Sequence, residues 1–221
     1  MSKNKKSILP VNWLLLGLIL SLYVIGFILY PVLPDMVPSH WNIHGQVDGY
    51  MPKTYHIIFF PSLILGLYLL MSVAPMIDPK PESYEKFRYV FEAFRTIMVL
   101  IFTAIYLAVT LYALGIQVSV AKVIMPAIGL MLIFLGNYMG KIRHNYTFGI
   151  KTPWTLASEE VWNKTHRISG PLWVAAGAVW ILSIFFNEKL GFILSMGSMF
   201  AVTIFGFIYS YVLFKKLQNG V

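Results

Sequence analysis

The sequence predicts an all-α membrane protein. It has six transmembrane helices, both termini cytoplasmic, an ordered external loop and a cytoplasmic amphipathic segment. Three observations predict this. Of 221 residues, 58% are hydrophobic and 12% charged, whereas a soluble domain is about a quarter charged. Six stretches approach the ~20 apolar residues that a span requires, at roughly 11–31, 56–77, 96–116, 122–140, 170–186 and 190–213. Finally, Lys and Arg concentrate in alternate connections.

The first span comes after Lys3, Lys5 and Lys6, as in a signal peptide. Its apolar run is too long, and Tyr30–Pro31–Val32–Leu33–Pro34 stands where a small-residue cleavage site would be, so it reads as an uncleaved anchor. After the second span come Pro79 and Pro81. Residues 78–96 then mix aromatic side chains with Glu82–Lys86, Glu85–Arg88 and Glu92–Arg95 pairs, which predicts an interfacial helix running into the third span. The fifth span is short and ends at Asn187–Glu188–Lys189. This divides the chain into a helix pair with its external loop (1–77), an interfacial helix and third span (78–121), and a C-terminal region (122–221).

With six spans, fourteen of the 17 basic residues fall in the N-terminus, 78–96, 141–169 and the C-terminal tail, leaving Lys53, Lys122 and Lys189 for the other side. The bias places both termini and the 141–169 segment in the cytoplasm and residues 32–55 outside. The net charge of +8 then belongs to topology and to membrane lipid headgroups, with no direct nucleic-acid partner. With no cysteine, disulfide and thiolate chemistry are excluded.

In the external loop, Pro34, Pro38 and Pro52 restrict the backbone and Asp48–Gly49 is a strong turn pair. His40 and His44 are the weak candidates for a metal. Pro38 and Gly45 argue against the helix that their spacing would need, and no H-E-x-x-H is present. A hydrogen-bonded lid over the external mouth is the preferred reading, with no metal or other cofactor.

The cytoplasmic segment is the densest polar stretch. Asn137 needs a hydrogen-bond partner or interfacial water, and Gly136 and Gly140 permit close helix approach. Thr152, before Pro153, should be extended. Ser158 is a helix N-cap with Glu159 and Glu160 in the first turn. Trp162, Thr165 and His166 share one helical face, Glu160 and Lys164 pair on another, and Gly170–Pro171 closes the segment. Trp154 and Trp162 alone would suit an interfacial anchor. The added Asn145, Lys151, Asn163 and Arg167 suit a docking surface.

The run GNYMGKIRHNYTFGIKTPWTLASEEVWNKTHRISG, residues 136–170, resembles the signature of the SdpI family of bacterial membrane proteins. Gly136, Asn137, Gly140, Asn145, Gly149, Ile150, Thr152, Pro153, Trp154, Thr155, Leu156, Trp162, Thr165, His166, Arg167 and Gly170 match its pattern; Lys151 stands where Arg is frequent. The external loop is similar to the small N-terminal domain of the same family at His40, Asn42, Gly45, Asp48, Gly49 and Lys53, with His44 as an addition.

The resemblance implies a non-enzymatic membrane immunity protein that protects a bacterium against a secreted toxic peptide, its external loop facing the peptide. It also implies signal transduction, in which the toxin-loaded protein sequesters a cytoplasmic transcriptional repressor. Two alternatives stay open. A transporter of a peptide or small molecule would ordinarily place ionisable residues at mid-membrane, and the predicted spans carry almost none. A membrane hydrolase would need His40 and His166 together, although the topology puts them on opposite faces, and no nucleophile elbow or zinc motif is visible.

Overall fold

Asn12 opens the first helix by accepting the Leu15 N–H at 3.2 Å. A computed structural model describes residues 9–219; Lys3, Lys5 and Lys6 lie outside the described residues. The order is α1 (Trp13–Leu29), β1 (Met36–Trp41), β2 (Val47–Pro52), α2 (Lys53–Ile77), α3 (Glu82–Ala113), α4 (Val120–Tyr138), α5 (Pro153–Ala157), α6 (Glu159–Leu182) and α7 (Glu188–Gln218). Single 3-10 turns extend α4 and α6. Among the described residues, five helices, α2, α3, α4, α6 and α7, are long and apolar enough to cross a membrane; α1 is apolar but has only 17 residues.

Four features differ from the sequence expectation or add to it. The 32–55 connection holds a β-hairpin, with β1 antiparallel to β2. Asp48–Gly49 lies inside β2, and the turn forms instead at Asn42, whose side-chain oxygen accepts the His44 and Gln46 N–H groups at 2.9 and 3.1 Å. The helix that begins in the 78–96 segment and runs into the third span is kinked at Phe87, and Tyr84, Phe87, Val90 and Phe91 pack with Ile142 and Trp162. Gly170–Pro171 does not end a helix, because α6 runs through both from the polar cassette into the span. Proline is tolerated in such helices where neighbours support the backbone.

The charge pairs shift as well. Arg88 bonds Glu92 at 2.8 Å, while Arg95 turns inward. Its guanidinium donates to Ser72 Oγ at 2.8 Å and to the Pro10 carbonyl at 3.1 Å, and sits over the Tyr68 ring. His56, buried in α2, stacks on Tyr106 and lies 2.9 Å from Thr110 Oγ1. These two ionisable side chains within the long helices are more than the composition of the predicted spans suggested.

The tightest crossing joins α4 to α6. Gly136 faces Gly170, and a Cβ on Gly136 would lie 2.6 Å from the Gly170 carbonyl oxygen. Backbones meet there with no side chain between them, as small residues permit in membranes.

Candidate functional sites at the two ends of the bundle

At the cassette end, the 142–152 chain folds around two buried side chains. Asn145 is fully buried. Its amide nitrogen donates to the carbonyls of Arg143 (2.8 Å) and Phe148 (2.9 Å), and its oxygen accepts the N–H groups of Thr147 (2.9 Å) and Phe148 (2.7 Å). The amide thus templates a turn that no backbone ladder supports. Asp78, 2% exposed, clamps that turn to the α2–α3 connection. Its carboxylate accepts from the N–H groups of Tyr146 (2.9 Å) and Lys80 (2.8 Å), and from the hydroxyls of Thr147 (3.1 Å) and Tyr84 (3.2 Å). Tyr84 and Thr147 also bond each other.

His166 is fixed in the same way. The Ile150 N–H donates to Nε2 at 2.9 Å, so Nδ1 carries the proton and donates to the Trp162 carbonyl at 2.8 Å. The imidazole is therefore neutral, and it stacks on the Trp162 ring at 4.1 Å. Trp162 in turn donates its indole N–H to the Ile142 carbonyl at 2.9 Å. Gly149, at φ +127°, passes so close that a Cβ would lie 2.5 Å from His166 Nε2; both its conformation and its space exclude a side chain. Thr152 caps α5 reciprocally with Thr155 and reaches Ser210 of α7 at 3.0 Å.

Trp162, Thr165 and His166, the face that the sequence offers for docking, are therefore interior. Lys151, Pro153, Asn163, Lys164 and Arg167 stay exposed, as does Asn137 on α4. Trp154 rests half-buried on Phe207 and Tyr211. Ser158 caps α6, and Glu160 pairs with Lys164 at 2.7 Å, as expected.

Sequence reasoning missed Asp78, Lys80 and Ser83. Their signal was weak, a single acid beside two prolines. Ser83 donates to the His144 carbonyl at 2.8 Å, and Lys80 Nζ lies 2.7 Å from His144 Nδ1. Burial, and then the Lys80 charge, hold the His144 pKa below its ordinary 6.5. The unfolded chain therefore binds a proton that the folded chain refuses. Stability contributed by neutral His144 is present above 6.5 and lost as pH falls below it. The thermal midpoint of the detergent-solubilised protein should drop as pH falls through that range, and less so in His144→Gln. Equal pH dependence in both proteins would remove His144 from the balance.

At the hairpin end, the strand tip, the start of α4 and the α6–α7 connection enclose a cavity of about 190 Å³. Trp41, Ile43, Ile124, Ile184, Phe186 and Phe192 give it apolar walls, with Lys122 and Glu188 among its few charges. Asn42 and Gly45 line it. His40 and Asp48 pair with each other on the exposed hairpin surface at 2.5 Å, and Gly49 packs beneath His40. Lys53 pins the hairpin base to Asp35 at 3.1 Å and to the Leu33 carbonyl. Among the described residues, no three His, Asp or Glu side chains gather to hold a metal ion. His40 and His166 belong to opposite ends of the bundle.

Comparison with known proteins gives three findings. Residues 141–210 match the SdpI/YfhL protein family. Residues 17–65 match DUF1648, a domain of unknown function. Over 217 residues, covering 98% of this chain and 99% of the relative, the sequence is 28% identical to Immunity protein SdpI of Bacillus subtilis (strain 168). No solved structure matches.

Proposed function

We propose that this multi-pass bacterial membrane protein, similar to the SdpI/YfhL family over residues 141–210 and to Immunity protein SdpI over nearly its full length, protects its host's membrane against a secreted toxic peptide. The supporting observation is the hairpin-end cavity, an apolar recess with Lys122 and Glu188 in its lining. Concave, mainly apolar sites with a few polar groups are what ligands occupy. An apolar peptide with charged ends would match it. In this reading α1 is the sixth span, at the short limit of about 17–25 residues, the hairpin lies outside and both termini lie in the cytoplasm. Ala121→Trp, which fills the cavity from α4, should lower survival under peptide challenge about tenfold, the effect of some 1.4 kcal/mol of lost binding. Unchanged survival at normal membrane abundance would dismiss the cavity as the site.

A second role, sequestration of a cytoplasmic repressor, has support in the exposed Asn163, Lys164 and Arg167 on α6, since Arg is a frequent interface hot spot. Arg167→Ala should then abolish peptide-dependent gene induction while resistance and abundance persist. If abundance and resistance fall together, Arg167 is structural.

A further inference from the structure

Another cavity, of about 460 Å³, opens between α3, α4, α6 and α7 near the cassette end. Phe94, Leu135, Trp173, Val202 and Phe207 form its apolar walls. Phe207 is half exposed, so the groove opens sideways, on helices that cross the membrane. At one end the groove meets Lys151. The Lys151 ammonium donates to the Thr147 carbonyl at 3.0 Å, and no carboxylate pairs with it among the described residues. Lys141 and Arg143 flank Ile142 of the lining.

These features match one ligand. A lateral groove in a span takes hydrocarbon, and its uncompensated cation takes a phosphate. We propose that this groove seats one acyl chain of an anionic phospholipid from the surrounding bilayer, with the phosphodiester on Lys151. The zwitterionic alternative carries its own ammonium beside the phosphate and gains less from Lys151.

Native mass spectrometry of the full chain in detergent tests this, titrating phosphatidylglycerol against phosphatidylcholine with the same chains. The wild type should retain one phosphatidylglycerol about fivefold more tightly than phosphatidylcholine, roughly the contribution of one lysine near an anionic surface. Lys151→Gln should erase that preference, and Thr203→Trp, which fills the groove from α7, should abolish the retained lipid. Lys151 is exposed, so Lys151→Gln decides the headgroup claim even if Thr203→Trp fails to fold. Equal retention of the two lipids by the wild type, or an unchanged preference in Lys151→Gln, overturns the proposal.

Discussion

Replacing Asp78 with alanine is expected to destabilise the protein by on the order of 3 kcal/mol, because it removes the buried acceptor shared by four donors, at about 1 kcal/mol for each bond. Those donors are the Lys80 and Tyr146 N–H groups and the Tyr84 and Thr147 hydroxyls. Asp78→Asn keeps the volume and one carbonyl oxygen, but its amide N–H groups then face donors that the second carboxylate oxygen had satisfied. It should fall between wild type and alanine. Thermal unfolding in detergent, with membrane abundance alongside, measures both. An Asp78→Ala protein as stable as wild type would mean that the 142–152 turn holds without its clamp on the α2–α3 connection.

Gly136→Leu should be at least as damaging. The new Cβ meets the α6 backbone at two points, 2.6 Å from the Gly170 carbonyl oxygen and 2.7 Å from the Val174 nitrogen. Backbone cannot step aside as a flexible side chain can, so the two helices must separate. Overpacking costs about 1–3 kcal/mol where side chains can adjust, and here the whole α4–α6 crossing is lost as well. Gly66 provides the control, since a Cβ there meets nothing within 4 Å; Gly66→Leu should leave abundance near wild type. If the two leucine variants behave alike, the close crossing is not what holds α4 to α6.

Long apolar runs were legible in the sequence because a span must satisfy a bilayer by itself, residue by residue. The Ser158 cap was legible for the same reason: a serine before two acids acts on its own next turn. Long-range polar pairing was not. Asp78 and Asn145 are far apart in the chain, and nothing in either neighbourhood announces that a carboxylate and a carboxamide will order the same turn. Trp162 and His166 misled by their composition. Tryptophan and histidine at helical spacing suit a surface as well as a core, and only the three-dimensional path of Ile142 and Ile150 turns them inward. The Asp48–Gly49 pair misled because Asn42 competes for the turn with a side chain that bonds two N–H groups at once.

The continuity of α6 has a mechanical consequence. Its 24 residues span about 36 Å, from the exposed Asn163–Arg167 face to the connection that lines the hairpin-end cavity. Pro171 removes one rung of its ladder, and that weak point sits where Gly136 grips Gly170. A rod held near its middle is a lever with a fulcrum. If α6 moves as one rod, tilting the end beside Phe186 swings the end beside Glu159 the opposite way, and the stiffness left at Pro171 sets how much of that tilt is passed on.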